Sequence, residues 1–224
     1  MKYNAVIFDF DGTVANTSKD VWDSVEYAAN KVGSKLPDTV KKDDTLLILP
    51  LHELFRLLEP IPPEDMFVVF ENEIARHYRT ISNYPATDLY PGVEDFIKLL
   101  MEKNIPRYIV TMKNKIPLER ILKLKNWSFM FNGWYTPDYR TGNIYTKEEL
   151  IRILINTELA GYNSVYIGDS YTDVIAARKN NIDCIGVTYG DGDINKLLDQ
   201  KPTYVINNAS ELISYFIKKD ISRY

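Results

Sequence analysis

"AVIFDFDGTVANTS", residues 5–18, places two aspartates, Asp9 and Asp11, directly after a continuous apolar run. A short apolar run of this kind is typical of a parallel strand that is buried on both faces. A carboxylate at the end of such a strand is costly to desolvate unless a cation or hydrogen-bond donors accompany it. The stretch therefore predicts a buried strand over residues 4–8 and a positive partner for the two aspartates.

Further strands are predicted from four similar apolar runs at residues 107–111, 164–168, 183–187 and 203–206. Helical patterns separate these runs. Residues 93–103 carry apolar side chains at helical spacing, and Thr146 with Glu149 forms a capping-box pattern at the start of another helix. Strands that alternate with helices predict an α/β fold with an open, mostly parallel sheet.

One region, from about residue 16 to residue 84, interrupts the alternation because it has helical periodicity and no strand pattern. Its predicted helices, each with apolar side chains at helical spacing, cover residues 21–32, 49–58 ("LPLHELFRLL") and 64–82. Pro85, Pro91 and Gly92 punctuate the return to the alternating pattern. We predict a core formed by residues 1–15 and 85–224, with a helical cap at residues 16–84.

The composition of the chain excludes some kinds of binding partner and indicates a cellular compartment. The 224 residues carry a net charge of −4 and a pI near 5.3, which argues against binding to a nucleic-acid backbone. The single cysteine, Cys184, excludes an intrachain disulfide and fits a reducing compartment. No apolar run is long enough for a membrane span, and the early first strand leaves no room for a signal peptide. We expect a cytoplasmic monomer or homodimer that contacts neither nucleic acid nor membrane.

Polar residues follow several of the predicted strands, at the edge where open parallel sheets bind their ligands. Asp9 and Asp11 follow the first strand, Thr111 ends the run at 107–111, and Asp169 follows the run at 164–168. Lys147 opens the helix that precedes the last of these strands. Residues more than a hundred positions apart are thus expected to converge on one site.

This ordered set resembles the haloacid dehalogenase superfamily of phosphohydrolases, whose four motifs are DxDGT, a Ser or Thr, a Lys, and GDxxxD. "DFDGT" begins at Asp9 and "GDSYTD" ends at Asp173. "YPGV", "LPLHELF" and "GVTYG" are similar to the branch that includes phosphoglycolate phosphatases and has a small helical cap. Met112 and Glu148 depart from that branch, which commonly has Asn and Pro there. The resemblance implies a Rossmann-like core and a phosphatase for a small, phosphoglycolate-like monoester.

The resemblance and the residue types together imply a role for each site residue. Mg²⁺ would be held by the carboxylates of Asp9 and Asp169 and by the main-chain carbonyl of Asp11. Asp9 would attack phosphorus and form an aspartyl-phosphate, and Asp11 would act as general acid and then as general base. Thr111 and Lys147 would bind the phosphoryl group. The cap would close on the substrate and select it.

Several alternatives stay open at this point. Lys113 or Lys115 competes with Lys147 as the phosphate-binding lysine. Asp173 contacts the metal, orients Lys147 or a metal-bound water, or simply begins a helix. A sugar phosphomutase of the β-phosphoglucomutase type would use the same residues, but would exclude water so that a sugar hydroxyl attacks. A catalytically inactive, phosphate-binding regulatory protein could use the same scaffold.

Overall fold

A computed structural model describes residues 2–221. Its strands are β1 (Ala5–Phe8), β2 (Ala15–Asn16), β3 (Asp88–Leu89), β4 (Arg107–Val110), β5 (Gly133–Tyr135), β6 (Ser164–Gly168), β7 (Asp183–Val187) and β8 (Tyr204–Ile206). Its α-helices are α1 (Ser18–Lys31), α2 (Asp38–Lys41), α3 (Leu51–Arg56), α4 (Phe67–Arg76), α5 (Val93–Glu102), α6 (Lys115–Leu124), α7 (Lys147–Asn156), α8 (Tyr171–Lys179), α9 (Ile194–Asp199) and α10 (Ser210–Ile221).

Six strands form one parallel sheet in the order β5-β4-β1-β6-β7-β8. The five predicted strands correspond to β1, β4, β6, β7 and β8, and the predicted α/β fold is confirmed. The predicted capping box is also present at the start of α7, where the Thr146 side chain accepts the Glu149 N–H. The sequence analysis missed β5 and the two-residue strands β2 and β3, which form a separate antiparallel pair.

The central strand β1 is buried along its whole length because side chains cover both faces of the sheet. On one face Ile7 belongs to a hydrophobic cluster that includes residues of α7 and α8. On the other face the Phe8 ring meets the rings of Phe96 and Phe131 edge-on, at centroid distances of 6.0 and 6.2 Å. Burial on both faces explains why this strand reads as a continuous apolar run.

The chain divides into two compact units, one of Met1–Asn16 with Asp88–Tyr224 and the other of Thr17–Thr87. The first, which we call the sheet unit, contains the six-stranded sheet, and the second, the helical unit, contains α1 to α4. The predicted cap, residues 16–84, begins one residue before the helical unit begins and ends three residues before it ends. The function of the helical unit as a cap stays a prediction.

The helical unit has a hydrophobic core of its own, which includes Val25, Phe55 and Phe70. Its predicted third helix, at residues 64–82, is divided in the structure: a 3₁₀ turn precedes α4, and a π-helical turn, His77–Ile81, follows it. The Thr80 hydroxyl donates to the Arg76 carbonyl at 2.5 Å within this turn. Such back-bonding to the preceding turn distorts helices locally.

Asp20, in α1, closes the helical unit where the chain leaves it. The Asp20 carboxylate is 1% exposed and accepts hydrogen bonds from the Thr87 hydroxyl at 2.6 Å and the Ala86 N–H at 3.3 Å. A buried carboxylate with two donors is stabilised rather than strained.

Within residues 2–221, no helix combines the length and the apolarity that a bilayer crossing requires.

Candidate active site

The candidate site lies at the carboxyl ends of three neighbouring strands. Phe8 of β1 is paired with Ile109 of β4 and with Ile167 of β6. Because these strands are parallel and in register, the residues that follow them leave the sheet at one edge. Asp9, Thr111 and Asp169 therefore start from neighbouring positions although they are far apart in the sequence.

Asp9 is held by hydrogen bonds from the backbone and from a lysine. The Asp9 carboxylate accepts the Phe10 N–H at 2.8 Å and the Lys147 ammonium at 2.8 Å, and the residue is 8% exposed. Burial raises the pKa of Asp9 to about 6, with repulsion from Asp173 adding to the rise and Lys147 opposing it. A cation beside Asp9 is thus present in the form of Lys147.

Lys147 lies between two carboxylates at the first turn of α7. Its Nζ donates to Asp9 at 2.8 Å and to Asp173 at 2.5 Å. Burial disfavours the ammonium, but the attraction of Asp173 and Asp9 outweighs burial and raises the pKa of Lys147 above its usual range. Asp173 also accepts the Ser170 N–H at 2.9 Å, which caps α8. Asp173 therefore begins a helix and orients Lys147 at the same time.

Asp169 is enclosed by two loops that approach it through glycines. The Gly192 N–H donates to the Asp169 carboxylate at 2.9 Å, and a Cβ built on Gly12 would lie 2.1 Å from the same carboxylate. Burial raises the pKa of Asp169 to about 8, and repulsion from Asp9 and Asp173 adds to this rise. The loop around Gly192 was missed by the sequence analysis, although "GVTYG" had drawn attention to its first part.

Asp11 points to a different partner from that of Asp9. Both oxygens of its carboxylate accept the Lys113 ammonium, at 2.8 and 3.0 Å. Thr111 is 1% exposed, and its hydroxyl accepts the Lys113 N–H at 3.2 Å. Lys115, in contrast, has a side chain that is 48% exposed and lies 4.0 Å from Glu119. Of the three competing lysines, Lys147 and Lys113 therefore contact the predicted catalytic aspartates.

The family model for haloacid dehalogenase-like hydrolases matches residues 6–187, which include every site residue named in this subsection except Gly192. The chain belongs to this family. Its phosphoglycolate phosphatase relative supports the predicted branch, which resembles phosphoglycolate phosphatases, and the chain is an enzyme of the hydrolase class.

Three relatives of this haloacid dehalogenase-like hydrolase cover nearly its whole length. A 5'-nucleotidase from Pseudomonas aeruginosa is 27% identical over 95% of this chain and 95% of its own. A phosphoglycolate phosphatase from Agrobacterium fabrum is 28% identical over 97% and 94%. The pyrophosphatase PpaX from Anoxybacillus flavithermus is 23% identical over 96% and 97%.

A solved structure carries the same fold. The haloacid dehalogenase-like family protein from Streptococcus pneumoniae has a TM-score of 0.78 and 24% identity, and the match covers 96% of this chain and 99% of that chain. At this level of identity the likeness concerns the fold.

The donor set of the hydrolase fits a hard divalent cation. Asp9, Asp169 and Asp173, which we call the acidic cluster, are buried and each offer a carboxylate oxygen within 4.8 Å of the others. Lys147 brings one positive charge to these three acids. Burial, with repulsion between the acids adding to it, raises the pKa values of Asp9 and Asp169, and a cation bound by oxygen ligands would favour their charged forms.

Proposed function

We propose that the chain is a Mg²⁺-dependent phosphatase that hydrolyses a small phosphate monoester through an aspartyl-phosphate on Asp9. The observation that carries this proposal is the acidic cluster, together with Lys147, at the carboxyl end of β1. Structural ion pairs alone would not need three buried carboxylates around one ammonium. The arrangement suits a site that receives a second cation and an anionic substrate.

The metal would be held by the carboxylates of Asp9 and Asp169 and by the main-chain carbonyl of Asp11. When bound, Mg²⁺ supplies charge neutralisation for the phosphoryl group and holds it in line with the attacking oxygen. The Gly192 N–H orients the Asp169 carboxylate, and the absence of a side chain at Gly12 leaves space for it.

The reaction proceeds in two displacements on phosphorus. A carboxylate oxygen of Asp9 forms a bond to phosphorus while the bond between phosphorus and the ester oxygen breaks, and Asp11 gives its proton to the departing oxygen. A water molecule then attacks the aspartyl-phosphate, Asp11 accepts a proton from that water, and the bond between Asp9 and phosphorus breaks. The products are the alcohol and inorganic phosphate.

Lys147 and Thr111 would assist these steps by binding the phosphoryl group. The Lys147 ammonium offsets the negative charge that Asp9 and the incoming phosphate bring together, and the start of α7 adds its dipole. Asp173 keeps that ammonium in place at 2.5 Å. The Thr111 hydroxyl would donate to a phosphoryl oxygen while it accepts the Lys113 N–H.

The substrate that we propose is phosphoglycolate or a similar small monoester. The support comes from the phosphoglycolate phosphatase relative and from the branch to which the chain belongs. We also propose a cytoplasmic location and no nucleic-acid partner, for which the buried Cys184 and the net charge of −4 are the support. A monomer or a homodimer stays our expectation.

The test is phosphate release from phosphoglycolate, a nucleoside 5'-monophosphate, a sugar phosphate and pyrophosphate, each with Mg²⁺ and with EDTA. We expect turnover with Mg²⁺ and none with EDTA, and Asp9→Asn should abolish turnover because an amide cannot form the acyl-phosphate. Full activity in EDTA would contradict the metal dependence. Isomerised sugar phosphate without phosphate release would identify a phosphomutase, and no reaction with any ester would favour an inactive scaffold.

A further inference from the structure

The loop between β4 and α6 places a second lysine, Lys113, beside a predicted catalytic acid. Its backbone is fixed because the Thr111 hydroxyl accepts the Lys113 N–H at 3.2 Å, while the Thr111 N–H donates to the Tyr135 carbonyl at 3.2 Å. The direction in which the Lys113 side chain leaves the loop is therefore set by β4 and β5. The residue is not simply a solvated lysine at a helix start.

The contact between Lys113 and Asp11 is close and asymmetric in burial. The Lys113 side chain is 6% exposed, whereas the Asp11 side chain is 38% exposed. The Nζ atom lies 2.8 and 3.0 Å from the two carboxylate oxygens. A contact from one ammonium to both oxygens of a partly exposed carboxylate restricts the rotamers that this side chain can adopt.

The two lysines of the site serve different acids. Lys147 contacts Asp9 and Asp173, and Lys113 contacts Asp11. A lysine that served only to neutralise substrate would not need to engage both oxygens of one aspartate. The pairing instead matches each of the two aspartates that follow β1 with its own ammonium.

We propose that Lys113 is a positioning residue that holds the Asp11 carboxylate in the orientation from which it exchanges a proton with the ester oxygen and with water. This inference rests on the proposed acid and base roles of Asp11. The proton passes between Asp11 and the ester oxygen or water, and Lys113 stays an ammonium throughout. Removal of Lys113 leaves Asp11 present but takes away the contact that orients both of its carboxylate oxygens.

The test compares an alkyl ester, whose leaving oxygen needs a proton, with p-nitrophenyl phosphate, whose leaving group does not. Lys113→Met should lower kcat for the alkyl ester by roughly 10²-fold, the size of effect that a small misplacement produces, and should change kcat for the aryl ester much less. Lys113→Arg should restore at least about 10-fold of the loss, because Arg donates to both oxygens of a carboxylate.

Two further measurements separate positioning from substrate binding. In the Asp11→Asn background, Lys113→Met should have no additional effect on the alkyl ester, because the group it positions is gone. Phosphoenzyme trapped by acid quench should accumulate in Lys113→Met, as we also expect for Asp11→Asn. The control is Lys98→Met, which removes an exposed lysine from an ion pair with Glu94 at 2.8 Å and should leave both esters unaffected.

The results for Lys113→Met and for wild type distinguish failure of this inference from failure of the proposed function. If Lys113→Met raises KM equally for both esters and the effect persists in the Asp11→Asn background, Lys113 binds substrate phosphate and the inference is wrong. If wild type releases phosphate and Asp9→Asn does not, that result for Lys113→Met overturns only this inference and leaves the proposed function standing. If wild type releases no phosphate from any ester, the proposed function fails and the inference fails with it.

Discussion

Asp9 and Asp11 are two residues apart, yet the fold gives them different environments. The Asp9 side chain is 11% exposed and contacts Lys147, whereas the Asp11 side chain is 38% exposed and contacts Lys113. Carboxylates in different environments can perform different tasks in one reaction. The Lys147 ammonium favours the ionised form of Asp9, which a nucleophile requires, and the more exposed Asp11 is accessible to an ester oxygen and to water.

Asp11→Asn should separate these tasks. An amide cannot donate the proton of a carboxylic acid, so turnover of an alkyl phosphate should fall by about 10²–10⁴-fold, the usual size of general acid-base catalysis. Formation of the aspartyl-phosphate from p-nitrophenyl phosphate should survive, and a hydroxylamine-sensitive phosphoprotein should accumulate. Rapid-quench kinetics on both esters measure this. Equal losses on both, with no trapped intermediate, would mean that Asp11 is structural.

The pKa of Asp169 leads to a prediction about stability in EDTA. A pKa raised from 3.8 to about 8 means that the folded state holds the proton more tightly, so stability is lost as the pH rises toward 8. Asp169→Asn cannot ionise. The free energy of unfolding of this variant minus that of wild type should therefore increase with pH, by at most about 1.4 kcal/mol per pH unit between pH 4 and pH 8.

Urea unfolding at pH 5, 6.5 and 8 in EDTA measures this difference. Asp193→Asn is the control, because the Lys196 N–H lowers the pKa of Asp193. A lowered pKa contributes stability that is lost only as the pH falls below the usual value, so this control should be flat from pH 5 to 8. If the difference in unfolding free energy between Asp169→Asn and wild type does not change with pH, burial does not raise the pKa of Asp169.

At the scale of elements, the turn after β1 depends on a glycine that approaches Asp169. Gly12 has a φ of +73° and its Cβ would collide with the Asp169 carboxylate, whereas Gly33 has a φ of +76° with open space around it. Gly33→Ala should cost about 1–2 kcal/mol of stability from backbone strain alone and retain activity. Gly12→Ala should lose roughly 10²-fold in kcat/KM, because Asp169 must move.

Urea unfolding and steady-state kinetics on p-nitrophenyl phosphate compare the two alanine variants. If both lose stability equally and both keep their activity, the close approach of Gly12 to Asp169 is not needed for the reaction.

The elements differ in how clearly the local sequence predicts them. Buried strands such as β1 have local apolar signals, and the acids that follow them carry specific motifs. The sheet, and the position of Asp9, Asp11 and Asp169 after its strands, could therefore be predicted from the sequence, while the roles of these acids stay predictions. The strand β5 has three residues, too few for periodicity, and β2 and β3 exist only because they pair with each other across the inserted segment. The contact of Lys113 with Asp11 joins residues 102 positions apart and has no local signal.

At the scale of the whole molecule, the groups of the proposed reaction all belong to the sheet unit. Asp9, Asp11, Thr111, Lys147 and Asp169 lie within Met1–Asn16 or Asp88–Tyr224, and the helical unit supplies none of them. The helical unit also has its own core around Phe55 and Phe70. Its side chains can therefore vary without altering the residues that act on phosphorus, which suits a segment that selects substrates.

The last prediction concerns this selection, which we expect to depend on "LPLHELF" at residues 49–55. If these residues contact the organic part of the ester, Leu51→Ala with His52→Ala should change the ratio of kcat/KM between phosphoglycolate and a nucleoside 5'-monophosphate by about 10-fold or more, since a pocket distinguishes small groups by that amount. Aspartyl-phosphate formation from p-nitrophenyl phosphate should change little, because Asp9 and its partners are untouched. Leu198→Ala, an exposed leucine of α9 in the sheet unit, is the matched control and should leave the ratio unchanged. An unchanged ranking in the Leu51 and His52 variant, with its fold intact by circular dichroism, would place the selecting residues elsewhere in the chain.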